Sequence, residues 1–247
     1  MMSITDTIIL AVLQGITEWL PISSSGHLIL AEHWFQMQGS LAFDVFLHMA
    51  SLLVILIFFR KKILAILKQA FDKSAPLKNW WWYIIISSIP TALIGFYLYG
   101  RADQIRTPES VATWFLLTSV LLLATKFSKG DKDLNWKHAI LIGLIQGLAV
   151  MPGLSRSGSV IALALIMRVK KEQAFDYGFI VAIPAIFGSF LLTFSDLDWN
   201  NLYLLGFSLT VLISYLSLIF LKLLINKNYF YWFFIYTLVL SLIIKIF

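Results

Sequence analysis

The chain has 247 residues, 60% of them hydrophobic and 13% charged, whereas a soluble domain carries about 25% charge, so polar surface is too scarce to cover a compact body in water. No cysteine is present, which excludes disulfides and thiol chemistry, and only four histidines occur (His27, His33, His48 and His138), which argues against a histidine-rich metal site. The net charge of +6 would suit nucleic acid, but most basic residues sit in short loops between oily spans, so no nucleic-acid partner is expected.

The composition predicts an all-α polytopic membrane protein forming one membrane unit. The N-terminus shows no basic leader followed by a small-residue cleavage site, so no removed signal peptide is expected. In chain order, apolar pieces at roughly 4–20 and 27–37 are too short or too broken to cross. They are joined by "PISSSG", residues 21–26. A full span follows at 43–59, then a basic run at 60–78 expected as an amphipathic helix touching anionic lipid heads. Spans are expected next at 80–99 and 111–127. A second short pair, 138–151 and 159–167, is joined by "PGLSRSG". Spans at 175–194, 201–224 and 230–246 complete a set of six. Non-helical backbone at membrane depth is tolerated only where protein buries it or a cavity hydrates it. Each short pair therefore reads as a re-entrant helical hairpin with its link near the midplane. Trp80 to Trp82 and Tyr229 to Phe234 read as interface anchors.

The two hairpins share residues at a constant offset of 132. Gln14-Gly15 recurs as Gln146-Gly147, Ser23, Ser25 and Gly26 recur as Ser155, Ser157 and Gly158, and Ala42-Phe43-Asp44 recurs as Ala174-Phe175-Asp176. Three full spans separate the hairpins, so the second enters from the opposite face. The result is an inverted-topology repeat, about 1–127 and 133–247, with broken elements meeting at the midplane. Charge placement agrees with that count. One side collects Arg60, Lys61, Lys62, Lys68, Lys73, Lys78, Lys126, Lys129, Lys132, Lys137, Arg168, Lys170, Lys171, Lys222 and Lys227. The other side holds Arg101, Arg106 and Lys245, with the acidic Asp103, Glu109, Asp196 and Asp198. Basic loops stay cytoplasmic. Both termini and the hairpin carrying Ser24 are thus expected to face the periplasm or exterior.

The chemistry concentrates in the links. Gln14 and Glu18 are four apart and share a helix face, with Thr17 beside them. A carboxylate at membrane depth is a functional hypothesis by default. Pro21 ends the first helix of the pair. Ser23, Ser24 and Ser25 stand at the start of the next, where serines cap and free N–H groups attract anions. Gly26 permits close backbone approach, and His27 lies three residues from Ser24. In the second link Arg156 occupies the position of Ser24, among Ser155, Ser157, Gly158 and Ser159. A guanidinium cannot shed its charge, so burial requires an anion, either Glu18 or a phosphate. A carboxylate, a hydroxyl, an imidazole and a phosphate clamp make the inventory of phosphoryl transfer. The expected substrate has an oily tail in the bilayer and a phosphorylated head. A transporter or flippase for a phosphorylated lipid or small anion is the alternative, since such proteins also use broken midplane helices. GxxxxGK[ST], GxGxxG and HExxH are absent. His33, His48 and His138 show no partner by spacing.

"LQGITEWLPISSSGHL" (13–28) and "PGLSRSG" (152–158), with "SSIPTALIG" (87–95), resemble the BacA-type undecaprenyl-pyrophosphate phosphatases of bacteria. The resemblance covers nearly the whole chain. It implies an integral inner-membrane hydrolase that removes the terminal phosphate of the C55 isoprenoid pyrophosphate, recycles the carrier for peptidoglycan synthesis and confers bacitracin resistance. By position it implies Ser24 as nucleophile, Glu18 or His27 as base, and Arg156 with Ser23, Ser25, Gly26, Ser155, Ser157 and Gly158 on phosphate. Gln14 and Thr17 would support them. It also implies a divalent cation, Mg²⁺ or Ca²⁺, for which Glu18 with Gln14 is the expected place, although Gln14 stands where some members have Glu. Whether the chain forms a homo-oligomer stays open.

Overall fold

The computed structural model describes every residue except 1–2, 38, 71, 73–76, 78, 198–199 and 247, and of Asp103 only the backbone. Lys73, Lys78 and Asp198, assigned above to the two sides, lie outside the described residues. Thirteen α-helices appear among the described residues, with no strand beyond an isolated bridge between Lys132 and Val169.

The short pair at the start is α1 (Ile4–Thr17) and α2 (Ser24–Trp34). Ser3 opens α1 with a reciprocal capping box to Asp6. Next come α3 (Leu41–Phe58), α4 (Arg60–Gln69), α5 (Trp80–Tyr99), the short α6 (Ala102–Ile105) and α7 (Pro108–Ala124). Thr107 caps α7 and Pro108 fills its first position, where a missing N–H costs nothing. The second short pair is α8 (Trp136–Leu148) and α9 (Arg156–Ile166). It leads to α10 (Lys171–Ile180), α11 (Ala182–Thr193), α12 (Asn201–Asn226) and α13 (Phe233–Ile246). Both broken pairs thus occur where the sequence puts them.

Among the described residues five helical stretches are long and apolar enough to cross a membrane: 41–58, 80–99, 108–127, 171–196 and 201–226. The sixth expected span falls among the shorter apolar helices, as Phe230–Ile246. Its first three residues coil into a 3₁₀ turn, and fourteen α-helical residues reach only about 21 Å at 1.5 Å each. The 171–196 stretch is also not continuous. Pro184 supplies no N–H to the Ile180 carbonyl four residues back, the helix breaks at Val181, and the Val181 carbonyl accepts from Gln146 Nε2 at 3.2 Å.

Packing crosses between the halves. α1 lies along α12, and α8 lies along α5. The same glycine permits each approach. A Cβ on Gly15 would stand 2.8 Å from Ile213 Cβ, and one on Gly147 would stand 2.8 Å from Ile94 Cβ. Small residues at such crossings let backbones touch where no hydrophobic gain drives helices together in lipid. Hydroxyls reinforce the contacts: Thr210 and Ser217 of α12 donate to Ala11 and Ile16 carbonyls at 3.2 and 2.8 Å.

Charged loops gather at two ends. At one, Lys62 of α4 pairs with Asp176 of α10 at 2.9 Å, Lys170 pairs with Asp133 at 2.7 Å, and Arg168 pairs with Asp131. Hydrogen bonds from Arg168 and Lys170 hold the Asp131 and Asp133 carboxyls below their ordinary range. At the other, Arg106 pairs with Asp44 at 2.8 Å and Glu32 at 2.9 Å. Asp44 and Asp176, the 132-residue equivalents, thus find their cations in different loops. α4 is a ten-residue amphipathic helix that exposes Leu64 and Leu67 beside its basic residues.

Candidate active site

α1 ends at Thr17, and a turn carries the chain past Pro21 to Ser23, the N-cap of α2. Ser23 has φ +64°, a left-handed conformation rarely adopted by a non-glycine residue and costing on the order of 1–3 kcal/mol. Hydrogen bonds hold it there. Its Oγ accepts from Gly26 N at 3.3 Å and, across the molecule, from Gly153 N at 3.1 Å. The second link repeats the cap: Ser155 precedes α9 and accepts from Gly158 N at 3.0 Å. The capping serines Ser23 and Ser155 leave Ser24 and Arg156 as the first residues of their helices.

The two links touch. A Cβ on Gly26 would come within 3.1 Å of Gly153 Cα. Ser157 Oγ donates to the Glu18 and Leu20 carbonyls, each at 3.3 Å. Gly153 itself has φ +97°, and a Cβ there would lie 2.3 Å from Val111 O. Gly153→Ala should therefore destabilise the fold by about 2–6 kcal/mol, the sum of backbone strain and overpacking. Thermal unfolding in detergent measures this, and an unchanged midpoint would mean that the links are not locked together.

Glu18 is buried at the centre of this contact. Ser24 Oγ donates to its Oε2 at 2.6 Å, Gln14 Nε2 donates to the same oxygen at 3.0 Å, and Arg156 Nη2 donates to Oε1. A buried carboxylate is tolerated only with such partners. Arg156 also lies over the Trp19 ring, 5.8 Å from its centroid. Its Nη1 is buried with no partner among the described residues. An orphan guanidinium donor beside a helix start is poised for an anion oxygen.

Not every expected residue joins the group. His27 Nδ1 donates to the Ser23 carbonyl at 2.7 Å, and its Nε2 faces the Tyr236 hydroxyl at 2.7 Å. Both ring nitrogens are thus engaged away from Ser24. Three residues on a helix put the ring on the right side, but Tyr236, 209 residues away, and the edge of Phe115 hold it elsewhere. Thr17 donates to the Leu13 carbonyl at 2.6 Å within its own helix, and Ser25 meets Ser23 Oγ at 3.3 Å. Ser155 Oγ meets Ser157 Oγ at 3.3 Å. Ser159 contacts the Arg156 carbonyl at 3.4 Å.

Two partners escaped the sequence reading. His48 of α3 places Nε2 3.3 Å from Glu18 Oε2. An ionisable residue within a crossing helix was the available signal. Thr118 of α7 accepts from Ser155 N at 3.1 Å and donates to Gly153 O at 2.9 Å, which nothing local foretells.

A divalent cation does not fit Glu18 with Gln14 as they stand. Glu18 already carries Arg156 on one oxygen and three polar neighbours on the other. Only Gln14 Oε1, a neutral oxygen, is buried without a partner in that pair. No group of three His, Asp or Glu residues able to hold a metal occurs among the described residues.

Fold and site together define a polytopic α-helical membrane protein with a serine–carboxylate–arginine centre built where two interrupted helix pairs meet. The family model described as bacitracin resistance protein BacA matches residues 7–243. The chain belongs to that BacA family. Relatives named undecaprenyl-diphosphatase agree along its length. That of Methanobrevibacter smithii is 36% identical across 92% of this chain and 91% of its own. That of Methanosphaera stadtmanae is 37% identical across 88% of both. That of Thermosipho africanus is 36% identical across 87% of this chain and 88% of its own.

Proposed function

We propose that this protein is a membrane hydrolase that removes the terminal phosphate of undecaprenyl pyrophosphate, giving undecaprenyl phosphate and inorganic phosphate, and so returns the lipid carrier to peptidoglycan synthesis. The carrying observation is the Ser24 hydroxyl 2.6 Å from Glu18, with Arg156 on the carboxylate's other oxygen. Family membership and the relatives' names support the same reading.

The pyrophosphate head enters beside Arg156, whose free Nη1 and the N–H groups opening α2 and α9 hold its oxygens. Ser23, Ser25, Gly26, Ser155, Ser157 and Gly158 shape this cradle. Ser24 Oγ attacks the distal phosphorus as Glu18 Oε2 takes its proton. The bond to the bridging oxygen breaks and the lipid monophosphate leaves. Water then attacks the phosphoseryl phosphorus, and Ser24 Oγ departs with a proton. Glu18 is the base in this scheme because Ser24 donates to it directly, while His27 orders the link. A bound Mg²⁺ or Ca²⁺ would supply positive charge to the pyrophosphate, and Glu18 with Gln14 would hold it only by giving up their present partners.

The reading includes one membrane unit of two inverted repeats, about 1–127 and 133–247. Support comes from the crossed packing of α1 on α12 and α8 on α5, and from the separate cations of Asp44 and Asp176. It places the protein in the inner membrane, with basic loops in the cytoplasm and the termini and active-site opening toward the periplasm.

Purified protein in detergent should release inorganic phosphate from a long-chain isoprenyl pyrophosphate. Chelation with EDTA should lower turnover, and added Mg²⁺ or Ca²⁺ should restore it. Lipid binding without phosphate release would instead favour the flippase.

A further inference from the structure

We propose that His48 is a positioning residue for the Ser24–Glu18 pair, receiving from Glu18 the proton that Glu18 takes from the serine. The inference rests on the phosphatase reading above and assigns a role to a residue on a third helix.

The ring is held by its own helix. His48 Nδ1 lies 2.7 Å from the Asp44 carbonyl, which can only accept, so Nδ1 carries a hydrogen. In the neutral ring the lone pair is then on Nε2, which lies 3.3 Å from Glu18 Oε2. That separation exceeds the roughly 2.7–2.9 Å of a charge-assisted N–H···O bond. The ionisable groups around the ring are Glu18 from α1, Asp44 one turn away on α3, and Arg156 from α9 across the Glu18 carboxylate.

The contact changes character during turnover. While Glu18 is ionised, the ring lone pair faces a negative oxygen and gains nothing. Once the Ser24 Oγ–H bond breaks and Oε2–H forms, that hydroxyl turns toward Nε2 and makes the contact a hydrogen bond. An interaction made only as the proton moves lowers the barrier rather than tightening substrate binding. The Oε2–H bond then breaks as Nε2–H forms, leaving a carboxylate and an imidazolium. When water cleaves the phosphoserine, the imidazolium proton returns through Glu18 to the departing Ser24 oxygen, and the water's protons stay with the phosphate. The His48 side chain is 22% exposed against 3% for Glu18, so the ring is also the more hydrated end of the pair.

The test compares His48→Ala, His48→Phe and His48→Gln with wild type for phosphate release. Each should lose about 10²-fold or more in kcat, the lower end of a general acid–base contribution, with KM within about twofold. Free imidazole should restore turnover to His48→Ala, whose vacated space admits it, and not to His48→Phe. Wild-type kcat in His48→Ala, or a loss that imidazole does not lift, overturns the proposal. If His48→Ala unfolds, His48→Gln decides: a reduced kcat at unchanged KM supports the relay, and wild-type kcat overturns it. Failure of the underlying reading is separate, because it would appear as absent phosphate release in wild type or as full turnover in Ser24→Ala.

Discussion

Replacing Ser24 with alanine should lower phosphate release by at least about 10³-fold, the loss typical when a nucleophile is removed from a catalytic unit. Binding of the lipid should change little. Ser24 begins α2 after its N-cap, a position where alanine is a good helix residue and no packing volume is lost. Glu18 keeps Gln14 and Arg156 as hydrogen-bond donors in the variant, so the buried carboxylate is not stranded. The capping bonds from Gly26 and Gly153 go to Ser23, not to Ser24, and both survive. The substitution therefore removes one oxygen and leaves the cradle standing. Release of inorganic phosphate and retention of labelled lipid, measured on the same preparation, check the two halves of the expectation. Full turnover in Ser24→Ala would move the nucleophile elsewhere, with water activated directly by Glu18 as the natural successor.

Much of this site could be read before any coordinates, because its signals are local. Pro21 and the serine run announce a helix end and a helix start. Arg156, lodged in an oily chain, announces an anion. The 132-residue recurrence suggests that the two links belong together, and Gly26 and Gly153 lie against each other. What could not be read depends on helices distant in sequence. The spacing of Ser24 and His27 is compatible with a shared pocket, yet Tyr236 of α13 draws the imidazole away. His48 stands thirty residues beyond Glu18, and only the packing of α3 against α1 brings them together. The break at Val181 follows from Pro184, a local cue, but its tolerance depends on Gln146 reaching across from α8. The 230–246 segment has the composition of a span, and only the 3₁₀ turn at Phe230–Trp232 shortens its helix.

Arg156 should show two separable losses. Arg156→Ala removes the guanidinium from Glu18 Oε1 and strands a buried carboxylate, which should cost on the order of 2–4 kcal/mol of stability. The lower end of that range is favoured by the 15% exposure of the Arg156 side chain, which allows partial hydration. The same change removes the phosphate clamp and should lower kcat/KM by about 10²–10⁴-fold. Arg156→Lys keeps a cation but loses the planar fork, so stability should largely return while kcat/KM stays at least about tenfold low. Adding Glu18→Gln to Arg156→Ala removes the stranded charge. Stability should recover in the double variant, but phosphate release should not, because the base is now gone as well. Thermal unfolding in detergent and phosphate release, each measured across the four combinations, give a cycle in which stability couples the pair and activity requires both. A double variant no more stable than Arg156→Ala would mean that Arg156 does not neutralise Glu18 in the folded protein. The resting contact between them would then carry no weight in the mechanism.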